Sequence, residues 1–191
     1  MQDQWLSAAK VAPAMLRKRG YEEVDNYNPS NLEAEMKATL EPLLVALGRA
    51  NTRPVLSQQE ARVFFVTNEA RISIKTIRCL QETHPNCLLI LVSAGGATPF
   101  ARKEDDVQVF ELSSLTHDVT THSLVPRHTV MTQTEIAMLT TSPKALPLLP
   151  TTDAISRFLD LRVDEVVKID RRSRGGGLAG VTYFRRVCAP A

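Results

Sequence analysis

The sequence predicts an α/β domain followed by a small α+β domain, and three observations predict it. Between residues 63 and 112 strand-like runs alternate with helical ones: VFFVT (63–67), a helical stretch over 73–84, CLLILVS (87–93), a turn GGATPFARKE (95–104) entering a short helix, and VQVFEL (107–112). That order is the order of an α/β layer. After residue 113 the texture becomes polar and Thr-rich, then Pro-rich. Finally, two β-rich runs, EVVKIDRRS (165–173) and VTYFRRVC (181–188), flank the glycine-rich loop RGGGLAG (174–180), the pattern of a β-hairpin. A domain boundary is expected between about 113 and 122, giving domains 1–115 and 122–191.

The elements follow in order. A first helix is predicted over Gln4–Arg19, where Trp5, Ala8, Ala12, Met15 and Leu16 form a helical stripe; Gly20 supplies the stop and Pro13 a blemish. A second helix is predicted from Ser30, with Ser30 and Glu33 at capping-box spacing. Leu32, Met36, Leu40, Leu43 and Leu47 repeat every three to four residues before Gly48, and Pro42 interrupts them. The unbroken apolar run at 87–92 implies a strand covered on both faces. Thr98 is a candidate N-cap and Pro99 a candidate first helical residue. Thr132 and Glu135 form another capping box, opening a short helix to about Thr140. SPKALPLLP (142–150) is too proline-rich for a helix, and Asp153–Leu159 reads as one or two helical turns.

At 191 residues and 43% hydrophobic content, the chain is long and apolar enough to build a core. No run approaches the roughly 18 apolar residues of a membrane span, so no membrane partner is expected. The start MQDQWLSAAKVAP lacks the pattern of a secretory signal. Cys79, Cys87 and Cys188 are odd in number and form no C-x-x-C pair, as expected of reduced thiols in a cytosolic or nuclear protein. Residues 1–121 carry net charge −2 and residues 122–191 net +4. Neither half is basic enough to hold DNA by charge alone.

Three of the four histidines, His117, His122 and His128, fall within THDVTTHSLVPRH (116–128). They have neither helical H-x-x-x-H spacing nor a neighbouring cysteine, so no metal site is expected. No nucleophile with an orienting acid is recognisable. The loop RGGGLAG holds G-G-G-x-x-G, but a strand follows it where a dinucleotide site needs a helix. No cofactor is expected. At the turn ATPFARK, a helix start at Thr98 and Pro99 would offer free N–H groups to phosphate, with Arg102 and Lys103 adding charge one turn later. Lys168, Arg171, Arg172, Arg174, Arg185 and Arg186 concentrate on the hairpin, either as a solvated edge or as a docking surface.

The ordered set LVPRH (124–128), LP (146–147), DAISRFLDLRVDEVVKIDRRS (153–173) and FR (184–185) resembles the fifth subunit of eukaryotic nuclear RNA polymerases, whose C-terminal module is like a small subunit of the archaeal RNA polymerase. That family reads roughly LVPKH, LP, DPVARYLGxxxGxVVKIxRxS, a glycine turn, then YR. From Leu146 to Ser173 the match has no gap. Earlier, Trp5 with Arg17–Tyr21, SIKTI (73–77) and TPFARK (98–103) resemble its opening helix and its VKTM and TPSAMK segments. Several residues depart from the pattern. Ala154 replaces a proline, and Asp160 and Asp164 replace glycines; aspartate holds positive φ less readily. About four residues are missing between His128 and Pro147, and the last hairpin loop is about two residues longer. The chain reads as a diverged copy, and some protist lineages carry a second version serving RNA polymerase I.

The resemblance implies a non-catalytic polymerase subunit in the nucleus, or the nucleolus for a polymerase I copy. It implies an N-terminal jaw domain near downstream DNA and a C-terminal assembly domain on the largest subunit and its neighbours. Thr98, Pro99, Arg102 and Lys103 become DNA-contact candidates; His122, Pro126, Arg127, His128, Arg157, Lys168, Arg171, Arg172 and Arg185 become interface candidates. Two other classes stay open at this stage. One is a nuclease-like α/β enzyme, although Glu104, Asp105 and Asp106 read as a loop run. The other is a freestanding interaction module reusing the fold.

Overall fold

The computed structural model describes residues 2–24, 44–49, 60–67, 69–104, 106–171 and 180–190. The chain divides into two compact units, Met1–His117 and Asp118–Ala191.

In the first unit, α1 (Gln2–Lys18) is followed by β1 (Tyr21–Val24), β2 (Leu44–Arg49), β3 (Ala61–Val66), α2 (Ile74–Thr83), β4 (Leu88–Ser93) and β5 (Val107–Glu111). The strands form one sheet in the order β1-β2-β3-β4-β5. β2 runs antiparallel to both β1 and β3, whereas β3, β4 and β5 are parallel. Period-2 alternation divides the buried residues between the two faces. Phe64 and Val66 of β3 join Leu89 and Leu91 of β4 in a core with Ile77 and Leu80 of α2. Val63, Phe65, Ile90 and Val92 turn the other way, where Trp5 of α1 meets Phe65 at 5.8 Å between ring centroids. All six residues of β4 are buried; α2 packs on the face of Leu89 and Leu91, and α1 meets the sheet's other face at Phe65 of β3. α1 buries Ala8, Ala9, Ala12, Met15 and Leu16 and carries Pro13 within it; Gly20 ends it at φ +90°.

One expectation fails here. The helix predicted from Ser30 through Leu47 does not run to its end: Leu44–Arg49 is β2. Its apolar spacing fits a helix, but backbone pairing to two neighbouring strands decides the conformation of 44–49. The remainder of that predicted helix, residues 30–43, lies outside the described residues.

The second unit contains β6 (Arg127–Val130), α3 (Gln133–Ala137), β7 (Leu148–Pro150), α4 (Ala154–Phe158), β8 (Val166–Arg171) and β9 (Val181–Cys188). Its sheet runs β6-β8-β9-β7, antiparallel except for the β9–β7 pair. Val167, Ile169, Val187, Leu149, Ile155 and Phe158 are buried in its core. The Thr132–Glu135 capping box forms, although α3 ends at Ala137 rather than near Thr140. Asp153 caps α4 by accepting the Ile155 N–H at 2.9 Å. The hairpin strands β8 and β9 pair from Val166–Arg186 to Arg171–Val181; the glycine loop between them falls outside the described residues, apart from Gly180. The proline-rich segment holds a strand, β7, that its composition conceals. β7 lies at the sheet edge, where Pro150 costs no ladder bond.

Asp160 and Asp164 adopt φ +54° and +71°. The backbone therefore keeps the left-handed geometry for which the resembling family uses glycine. Ala154 occupies the first helical position of α4, where proline is also compatible.

Candidate nucleic-acid contact and interface residues

The turn after β4 brings Thr98, Pro99, Arg102 and Lys103 together, but not as a helix start. Phe100 takes the cap position without a side-chain bond, and only a single 3-10 turn, Ala101–Lys103, follows. The Thr98 N–H is already committed, donating to the Ile72 carbonyl at 3.1 Å; the Arg102 N–H donates to the Thr98 carbonyl at 3.1 Å. The expectation of a phosphate-binding helix N-terminus is thus corrected. Glu104 returns to extended backbone and β5 begins at Val107, so there is no room for a longer helix or its aligned dipoles. What the turn does present is Phe100, 72% exposed, beside the exposed Arg102.

The two glycines before the turn serve the chain's own packing. A Cβ on Gly95 would lie 2.6 Å from the Ala70 carbonyl oxygen, and Gly96 sits at φ +71°. Loop meets loop through a short ladder. Gly95 N–H donates to Ala70 O at 2.8 Å, and Ile72 N–H to Gly96 O at 2.9 Å. The Ser93 hydroxyl also donates to Gly96 O, at 2.8 Å. The N-terminus of α2 is closed internally: Ser73 Oγ accepts the Thr76 N–H, and Glu69 accepts the Ser73 N–H and the Thr76 hydroxyl.

The three clustered histidines make separate local bonds. His117 Nδ1 lies 3.4 Å from the Thr116 hydroxyl, the Leu124 N–H donates to His122 Nδ1 at 3.2 Å, and His128 Nδ1 lies 2.8 Å from the Pro126 carbonyl. Among the described residues, no three His, Cys, Asp or Glu side chains gather as metal ligands.

On the hairpin, the basic residues divide by task. Arg185 donates to the Leu148 carbonyl at 3.0 Å and so ties β9 to the edge strand. Arg186 pairs with Asp164 at 2.9 Å, and Lys168 with Asp170 at 3.8 Å. Arg171 lies over the Tyr183 ring at 5.1 Å. Ile169 and Arg171 face the same way as Tyr183 and Val181, which are 47% and 55% exposed. His128 stands opposite Ile169 on β6, and Arg127 opposite Asp170. Pro126 is half-buried before β6, His122 and Arg157 are exposed, and Arg172 and Arg174 lie outside the described residues. Sequence reasoning missed the Arg171–Tyr183–Val181 surface because it counted charge without the strand register that aligns these side chains.

Comparison with known proteins adds to this geometry. Residues 117–187 match the family model for RNA polymerase Rpb5, C-terminal domain. The chain is 34% identical over 128 residues to the DNA-directed RNA polymerases I, II, and III subunit RPABC1 of Caenorhabditis elegans, covering 59% of this chain and 60% of that protein. It is 31% identical over 127 residues to the corresponding subunit of Dictyostelium discoideum, covering 60% of this chain and 62% of that one. A longer match, 29% over 179 residues, links it to the DNA-directed RNA polymerase V subunit 5A of Arabidopsis thaliana, with 83% and 77% covered. The matches to the worm and slime-mould proteins thus span about three fifths of those proteins' length. The motif order, the left-handed aspartates and the matched second unit converge on one likeness: residues 117–187 match the Rpb5 C-terminal domain, and the chain is similar to Rpb5-type RNA polymerase subunits.

Proposed function

We propose that the chain is a non-catalytic subunit of a nuclear DNA-directed RNA polymerase. The carrying observation is that the Rpb5 C-terminal match, 117–187, coincides with the compact second unit beginning at Asp118. The second unit acts as the assembly domain on the largest subunit, and the first as part of the jaw around downstream DNA. Nucleotidyl transfer belongs to other chains.

The surface of Arg171, Tyr183 and Val181 supports the assembly role. It joins an aromatic ring, an exposed aliphatic residue and a guanidinium on one sheet face, the composition enriched at interface cores. The Thr98–Lys103 turn contacts DNA locally. Arg102 is exposed, and the first half's net charge of −2 leaves no broad electrostatic field, so the contact is weak and blind to sequence. A photo-crosslinker at Tyr183 should reach the largest subunit, and one at Pro99 the downstream duplex. Crosslinks from Pro99 to protein alone would make that turn an interface. The identity of the crosslinked largest subunit reads out the polymerase class, with RNA polymerase I and the nucleolus as one outcome.

A further inference from the structure

The sequence holds two serine or threonine residues followed by proline, Thr98-Pro99 and Ser142-Pro143. Their local structures give them opposite accessibility. Thr98 is fixed in the loop ladder: its N–H donates to the Ile72 carbonyl at 3.1 Å, and its carbonyl accepts the Arg102 N–H at 3.1 Å. Ala97 before it and Ala101 after it are buried in the core beneath α2. Drawing Thr98 into another protein's cleft would pull these residues out of that core.

Ser142 lies in the second unit, between α3 and β7, and is held far less. It is exposed, as are Thr140, Thr141 and Lys144. Its hydroxyl makes no capping bond to the 3-10 turn that follows, Pro143–Ala145, and no residue of that turn is buried. The turn is closed by the Ala145 N–H on the Ser142 carbonyl at 2.9 Å and the Leu146 N–H on the Pro143 carbonyl at 3.3 Å. Opening it therefore uncovers no buried residue of the turn. Ser142 is already extended before its proline, at φ −57° and ψ 135°.

A protein kinase takes its substrate as an extended chain. Pro143 has no N–H, so it suits a cleft that offers the residue after the acceptor no hydrogen-bond partner. Lys144 then presents a cation to acidic groups around such a cleft. Thr140 and Thr141 are as exposed as Ser142 but lack the proline.

We propose that Ser142 is a phosphorylation site for a proline-directed protein kinase. The Ser142 Oγ attacks the γ-phosphorus of ATP. The Oγ–P bond forms as the bond from that phosphorus to the β,γ-bridging oxygen breaks. ADP leaves, and the hydroxyl proton passes to the kinase's catalytic carboxylate. The product brings about −1.5 to −2 of charge at neutral pH to residues 122–191, which carry net +4. The site stands independently of the polymerase reading.

The test incubates the folded full-length chain with a purified cyclin-dependent kinase and ATP, and maps the phosphoryl group by peptide mass spectrometry. The chain is used as wild type, Ser142→Ala, Pro143→Ala and Thr98→Ala. Wild type and Thr98→Ala should both take up phosphoryl at Ser142. Ser142→Ala should lose it, and Pro143→Ala should lose most of the rate. Full-length chain recovered from dividing cells in phosphatase inhibitors should carry the same phosphopeptide. The inference is overturned if Ser142 stays unmodified in the kinase reaction or in the recovered chain. It is equally overturned if the folded chain is phosphorylated at Thr98 instead, or if Pro143→Ala reacts as fast as wild type.

Discussion

Asp160 and Asp164 share a left-handed backbone, yet their chemistry predicts opposite responses to mutation. Asp164 is exposed, and its pair with Arg186 is of the surface kind that contributes little. Asp164→Gly relieves a left-handed strain of roughly 1 kcal/mol and should stabilise the second unit. Asp160 is buried, and its carboxylate lies 3.4 Å from Arg162 Nε. Removing it leaves the buried Arg162 Nε without its carboxylate neighbour, so Asp160→Gly should destabilise by about 1–3 kcal/mol. Amide exchange at Val187, which donates to the Glu165 carbonyl at 2.8 Å across this corner, reports both changes. The thiols give a second residue-scale prediction. Burial raises the Cys87 pKa, against a smaller lowering by Arg62. Cys79 is exposed. Iodoacetamide should therefore modify Cys79 well before Cys87 in the folded chain; equal rates would contradict that difference. The aspartates were legible as departures from a glycine pattern, but their difference in burial was not, because it depends on residues distant in sequence.

At the scale of elements, the capped helices carry the clearest tests. Ser73→Ala removes the bond to the Thr76 N–H and should cost α2 about 1 kcal/mol, read by denaturation of the first unit. In α3, the hydrogen bonds from Thr132, the backbone one first, lower the Glu135 pKa. The folded form holds the proton less readily than the unfolded chain. The capping box is thus fully stabilising above the ordinary glutamate pKa, and its contribution is lost as pH falls through the lowered value. Thr132→Ala should abolish that part of the acid dependence, seen in α3 amide exchange from about pH 3 to 6. Gly95→Ala forces a Cβ toward the Ala70 oxygen and should loosen the loop ladder. The Thr132–Glu135 box, and strands β3, β4 and β5, were readable because local spacing encodes them. β2 and β7 were not. The leucine spacing before Gly48 suits a helix, and β7 is a short strand in a proline-rich segment; in both, pairing to neighbouring strands decides.

For the whole molecule, composition alone carried little, since the net charge of +2 and the ordinary apolar content suit many globular domains. The informative signal was the order of short motifs over the second half, which coincides with a compact unit and an Rpb5 C-terminal match. The whole molecule is proposed to join a nuclear RNA polymerase. Affinity purification of the tagged full-length chain from nuclear extract, followed by sizing and identification of the bound proteins, tests it most directly. The chain should elute at polymerase size together with a largest RNA polymerase subunit. Elution as a 21.2 kDa species, with no polymerase subunit bound, would contradict it.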